Sequence, residues 1–178
     1  MRTAPVLSTA RLRLRPHVLD DMAALEAFYA TDRAAFMGRP NTRTQLWYGF
    51  ASEVGSWDLM GHGAWAITTQ DGALVGQVAI TQPPHFPERE IGWLLFEGHD
   101  GKGYATEAAL TALRWGWQAG FATLVSYITP ENARSVALAR RLGAVHDPDA
   151  ALPEGDGPEG TVVWRHAPDT DGSPEAYA

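Results

Sequence analysis

Hydrophobic positions along the chain switch between two periods, and each switch marks a change of element. In RLRLRP, residues 11–16, leucine and arginine alternate with the period of two that a strand with one buried face produces, and Pro16 ends the run. The following HVLDDMAALEAFYATD spaces Val18, Met22, Leu25 and Phe28/Tyr29 at three to four, with Asp20 and Asp21 near the start, where a helix dipole favours negative charge. This predicts a first amphipathic helix. MGRPN, residues 37–41, carries the turn formers Gly38 and Pro40, and TRTQLWYGFASEVGSWDLMG then reads as a second, aromatic-rich helix interrupted by Gly49 and Gly55. AWAITTQDGALVGQVAIT predicts two strands joined across Asp71-Gly72, a dipeptide suited to the positive φ angles of a tight hairpin. After the proline-rich PPHFPER, the apolar run EIGWLLF, residues 90–96, fits a buried central strand.

HDGKGYATEA, residues 99–108, leads without a break into a helix ending near Ala119. Ala105, Ala108, Ala109, Ala112 and Gly116 give that helix a small-residue face, with Leu113 and Trp117 beside it, so it can lie close on a sheet. LVSYI, 124–128, predicts another strand and NARSVALARRLGA, 132–144, a last helix, with Asn132 as N-cap, Arg140 and Arg141 in the last turn and Gly143 as stop. HDPDAALPEGDGPEG is a turn-rich loop, TVVWRH a closing strand, and residues 168–178 a mobile polar tail. No repeat and no linker interrupts this order, which predicts one mixed α/β domain over 1–178.

Composition narrows the class. With 45% apolar residues and seven tryptophans in 178, the chain builds a packed core. A net charge of −7 argues against a nucleic-acid surface, which needs a concentrated basic face. The sequence shows no membrane-length apolar run and no secretion signal, so a cytoplasmic protein that does not enter the membrane is expected. The absence of cysteine removes disulfides, thiolate zinc sites and a thiol nucleophile together, and the scattered histidines form no H-x-x-x-H pair, so no metal is assigned.

The chemistry concentrates in the glycine turn around Lys102. Glycines between a strand and a helix serve either as a tight turn that only glycine tolerates or as an anion cradle, in which bare amides and the helix dipole face a phosphate. Lys102 favours the anion. A P-loop requires a glycine and a Ser or Thr where this chain has Phe96 and Gly103, and a dinucleotide fingerprint requires a third glycine where it has Thr106.

Together, STARLRLRP with its Asp-containing helix, EIGWLLF, DGKGYATEA and NARSVALARRLGA resemble, in this order and over most of residues 8–166, the Gcn5-related N-acetyltransferases (GNAT), particularly the ribosomal-protein N-terminal acetyltransferase branch. The resemblance implies a GNAT fold: a mixed, mostly antiparallel twisted sheet of about six to seven strands, flanked by about four helices and splayed between the fourth and fifth strands. It implies acetyl-CoA as acyl donor and a primary amine, either a protein N-terminus or a small molecule, as acceptor. Attack would be direct, in a ternary complex; a non-catalytic acyl-CoA-binding module of the same fold is the alternative. Gly101, Lys102, Gly103, Tyr104, Ala105 and Thr106 would seat the pyrophosphate, and the splayed strand Trp93, Leu94, Leu95 and Phe96 would pair with the pantetheine arm. Asn132 and Ser135 match the last cofactor-binding helix.

By the same resemblance Glu90 is the general base and Ser135 the donor to the departing thiolate, with Tyr127 as the other candidate. Trp47, Tyr48, His85 and Glu90 would line the acceptor pocket. The chain departs from the family pattern at Gly98, where a longer polar side chain is usual, and at Ala139, where many relatives carry a tyrosine acid. Arg134, Arg140 and Arg141 are candidates for the adenosine 3′-phosphate. The implied partners are thus acetyl-CoA and an amine, with self-association into a homodimer left open.

Overall fold

The computed structural model describes residues 2–38, 40 and 42–168. The chain enters through two short strands, β1 (Leu7–Ser8) and β2 (Leu12–Arg15), then forms α1 (Asp21–Tyr29), a 3₁₀ turn (Asp32–Ala34) and α2 (Arg43–Met60). Next come β3 (Ala64–Thr69), β4 (Leu74–Thr81), β5 (Glu90–Leu95), α3 (Tyr104–Gln118), β6 (Leu124–Ile128), α4 (Ala133–Arg141), β7 (Val145–His146) and β8 (Val162–His166). The strands make one eight-stranded sheet in the order β1-β2-β3-β4-β5-β6-β8-β7. Against the about six to seven strands expected, the two that the hydrophobic pattern does not pick out are β1 and β7, two residues each and too short to carry a period. The tail predicted at 168–178 lies, but for Pro168, outside the described residues.

Every neighbouring pair is antiparallel except β5 and β6, which run parallel because α3 crosses between them. Their only register pair is Glu90 with Val125, supported by the Val125 amide on Arg89 O at 2.9 Å and the Ser126 hydroxyl on Ile91 O at 2.7 Å. Beyond that point the strands part, so Gly92 to Leu95 have β4 on one side and, among the described residues, no strand on the other. This is the predicted splay, numbered one strand higher because β1 precedes it.

One face of the sheet packs on α3. Ala108, Ala109 and Ala112 are fully buried, which brings the helix against Val78, Ile80 and Ile91. Beside it Trp57, Trp65 and Trp115 meet edge-to-face at 4.5–5.2 Å, a geometry that aromatic quadrupoles favour. The other face takes α1, the 3₁₀ turn and α2 through Leu25, Phe28, Ala34, Leu46, Phe50 and Leu94. Gly49 and Gly55 do not interrupt α2. Each costs the helix about 1 kcal/mol relative to alanine, which burial of Leu46, Phe50 and Trp57 along one face offsets. Asp21 does more than favour a helix dipole: it is buried and accepts two 2.7 Å bonds from Arg15, tying α1 to β2. Among the described residues no helix is long and apolar enough to cross a membrane.

Candidate active site

Where β5 leaves β6, the α1–α2 side of the sheet opens into a cavity of about 840 Å³. Strand alternation builds its floor. The cross-strand pairs Gln77–Leu94, Ala79–Gly92 and Thr81–Glu90 place these six residues on one face, while Val78, Ile80 and Ile91 between them point into the α3 core. Phe36, Met37 and Gly38 lie over the floor, Asn132 and Ser135 come in from the start of α4, and the 153–161 loop closes one side. That loop is held to the 82–89 segment by the Glu154 amide on His85 O at 2.9 Å.

Glu90 lines this cavity, and its carboxyl is pushed up to about 7. Burial is the main cause; the charges of Glu53 and Asp156 add to it, and the Tyr127 backbone amide pulls the other way. A carboxyl that titrates there accepts and returns protons at neutral pH. Burial pushes the Tyr127 phenol up to about 12, so it stays protonated. Asn132 caps α4, its Oδ1 accepting the Ser135 amide at 3.2 Å, and the Ser135 hydroxyl has no hydrogen-bond partner among the described residues. Ser126 also reaches the cavity and lies 3.1 Å from His166 Nε2, but its proton goes to Ile91 O and burial pushes the imidazole down to about 4. It is not an activated nucleophile.

The glycine turn forms the second half of the site. Gly101 and Gly103 hold φ of 73° and 78°, left-handed values that side chains resist, and Gly103 is the N-cap of α3 with no side chain capping the helix. The first amides of α3 thus face outward without a side-chain acceptor, the arrangement that binds a phosphate. Two arginines brace the turn. Arg11 donates from Nη1 to Lys102 O at 2.8 Å and from Nε to Glu107 at 2.7 Å, and lies over the Tyr104 ring. Arg33 pairs with Asp100 at 2.7 Å and donates to Leu95 O at 3.1 Å. Arg11 and Arg33 thereby offset Glu107 and Asp100, with Glu97 also near Arg33 and Arg134 near Asp100, whereas Lys102 and Arg141 have no ion-pair partner among the described residues. The local field favours an anion despite the chain's net charge of −7. Gly98 holds φ of 81°, a left-handed value in which a longer side chain would be strained, although a Cβ there would meet no atom.

The structure brings Glu90, Trp93, Leu94, Asn132, Ser135, Tyr127 and His85 to one cavity and sets the turn 101–106 outside it. Leu95 and Phe96 pack their side chains against the two cores, and only the strand's backbone is open toward β6. Trp47 and Tyr48 do not reach the cavity: they are 43% and 65% exposed on the outer surface of α2. Helix geometry separates them from Leu46, Phe50, Glu53 and Trp57, whose spacing of three to four keeps them on the inner face. Arg141 reaches Thr106 of the turn at 3.5 Å, whereas Arg140 lies over Trp164, away from it.

Sequence reasoning missed Glu53, which lines the cavity and accepts a 2.8 Å bond from Gln77 Nε2. Burial pushes its carboxyl to about 7, with the Gln77 bond opposing. Its phase with Phe50 and Trp57 was the available signal. Arg11, read only as the polar phase of a strand, was missed as the brace of the turn.

Among known proteins, the sequence model of the acetyltransferase (GNAT) domain matches residues 11–145. An acetyltransferase from Agrobacterium tumefaciens str. C58 is 39% identical and superposes with a TM-score of 0.87 over 93% of this chain and 96% of that one. An acetyl transferase from Salmonella typhimurium that modifies the N-terminal serine of 50S ribosomal subunit protein L7/L12 shares the fold at 16% identity, with a TM-score of 0.73 over 93% and 100% of the chains. RimL, a ribosomal L7/L12 α-N-protein acetyltransferase solved in complex with coenzyme A, does so at 16% identity and a TM-score of 0.72 over 92% and 98%. The splayed sheet, the bare glycine turn and the matched span of 135 residues, 11–145, lead to one conclusion: the chain belongs to the GNAT acetyltransferase family.

Proposed function

We propose that the protein transfers an acetyl group from acetyl-CoA to the nitrogen of a primary amine, in one ternary complex. The observation that carries this reading is the convergence of Glu90 and Ser135 on the cavity into which the β5–β6 splay opens. The coenzyme supplies an activated acetyl thioester. The chain's own residues fit its parts: a side chain at Gly103 would stand 3.3 Å from Arg11 Nη2, so the turn is bare where diphosphate oxygens need backbone amides. The unpaired edge of Gly92–Leu95 suits the amides of the pantetheine arm.

The acceptor arrives as an ammonium, since an aliphatic amine with pKa near ~10.4 is neutral only about once in 10³ molecules at pH 7. Glu90, with a carboxyl near 7, takes that proton. Ser135, whose hydroxyl has no partner among the described residues and which lines the same cavity, would donate to the departing thiolate. Holding amine and acyl group together supplies most of the acceleration, because a thiolate leaves readily. No cysteine exists to carry an acetyl-enzyme, which supports direct transfer.

The test is thiol release from acetyl-CoA across a panel of amines and peptides, with the acylated product identified by mass spectrometry. Saturable, amine-dependent release is expected. Acetyl-CoA binding without turnover on any amine would replace this reading with that of a binding module.

A further inference from the structure

The acetyl-transfer reading leaves Glu53 without a task, and the surroundings of this carboxyl are unusual for a structural one. It extends from the inner face of α2 to the cavity floor, where its only hydrogen bond among the described residues comes from the neutral Gln77 amide at 2.8 Å. Gln77 itself is 7% exposed, so the carboxyl is held in place by a side chain locked in the sheet. Among the described residues no cation pairs with Glu53. A carboxylate drawn from bulk water costs several kcal/mol unless a positive charge meets it; the described residues offer no Lys or Arg there, and burial pushes His17, which also lies beside Gln77, toward its neutral form.

The floor separates Glu53 from Glu90. Gln77, which holds Glu53, and Thr81, which pairs with Glu90, lie four residues apart on the same face of β4, about 13 Å between those two positions on the strand, while the carboxyls they hold are near enough for the Glu53 charge to raise that of Glu90. Between them the floor carries only Ala79 and Gly92, the smallest side chains available, so the two ends are joined by an open trough. Glu154 and Asp156 stand on the loop wall, and none of the described lining residues is Lys or Arg.

One carboxylate suffices for the reacting nitrogen. A second held against the same nitrogen would stabilise the ammonium and oppose the deprotonation that attack requires. The charge at the Glu53 end therefore matches a different part of the acceptor.

We propose that Glu53, oriented by Gln77, binds a second cationic group of the acceptor, so that the preferred substrates are amines carrying another positive charge at the far end of the trough. This rests on the acetyl-transfer reading above. Two sources offer that chemistry: an aliphatic diamine or polyamine, and a peptide whose N-terminal amine is followed closely by a basic side chain.

The test compares length-matched monoamines and α,ω-diamines of four to eight carbons, and peptides with Arg or Ala near the N-terminus, at saturating acetyl-CoA on the full chain. For wild type, kcat/KM for the best dicationic acceptor exceeds that of its monocationic partner by at least about tenfold. Glu53→Gln brings the pair to within about twofold while KM for acetyl-CoA is unchanged, and Glu53→Asp restores part of the gap. Whether diamines or the Arg peptide discriminate identifies the source. Equal wild-type kcat/KM for the two charge classes, or discrimination that survives Glu53→Gln, overturns the inference. Calorimetric binding of 1,4-diaminobutane and 1,8-diaminooctane to wild type and Glu53→Gln decides it separately. If no amine is acetylated yet diamine binding depends on Glu53, acetyl transfer fails and the cation site stands; binding indifferent to Glu53 refutes the site.

Discussion

Replacing Gly103 by alanine perturbs the proposed pyrophosphate seat at one atom. Two consequences can be worked out. The residue holds φ of 78°, and an L side chain in that region costs roughly 1–2 kcal/mol. For a chain of 178 residues each kcal/mol lowers Tm by about 2–4 °C, so the variant melts about 2–8 °C below wild type. The new Cβ also stands 3.3 Å from Arg11 Nη2, close enough to push the guanidinium off Lys102 O and Glu107. The turn relieves both strains by rotating its amides out of register. Losing one amide–phosphate bond, worth about 1.5–3 kcal/mol for a charged partner, weakens acetyl-CoA roughly 10- to 150-fold. Gly72→Ala is the control, since Gly72 has φ of 92° in the β3–β4 turn with no atom near its missing Cβ. It carries the same backbone strain far from the turn. Calorimetric titration with acetyl-CoA and thermal melts of both variants make the comparison. Equal coenzyme affinity of Gly103→Ala and Gly72→Ala, with similar losses of Tm, would refute the seat.

Other residues give independent checks. Because Glu90 acts deprotonated and its carboxyl sits near 7, kcat/KM with a fixed neutral-amine concentration rises with pH through about 7, and Glu90→Gln removes that limb and lowers kcat about 10²–10⁴-fold without weakening acetyl-CoA. Ser135→Ala lowers kcat by no more than about tenfold, below the usual general-acid effect, because the leaving thiolate needs little help; loss of all turnover at normal coenzyme affinity would contradict this. Glu53 folds with its carboxyl raised to about 7 from 4.5, so the native state holds a proton that the unfolded chain releases, and stability falls as pH rises from about 4.5 through 7. Glu53→Gln therefore melts above wild type at pH 8, and the gap narrows toward pH 5, as a pair of pH-dependent melting series will read.

The local elements were legible because period and punctuation are local. Alternation in RLRLR, the alanine face of α3, the Asn132 cap and the Gly143 stop each act within a few residues and hold in the structure. So does the turn around Lys102, whose backbone needs only its own glycines. In α2 the glycines misled, since a local breaker was outweighed by burial against elements distant in sequence. Aromatic Trp47 and Tyr48 looked like pocket residues by type, yet their phase on α2 turns them outward and brings Glu53 in.

By itself the sequence determined the order of elements, the bare turn at the mouth of α3 and the family whose motifs they match. Tertiary structure decided the rest. Register across β4 and β5 is what puts Thr81 beside Glu90 and Gln77 four residues away, and the parting of β5 from β6 after Glu90 is what opens the edge. The crossing of Arg11 to Lys102 and Glu107, 91 and 96 residues on, belongs to the same class. These are pairings between segments far apart in sequence, specified by how whole faces bury together, and no window of a few residues carries them.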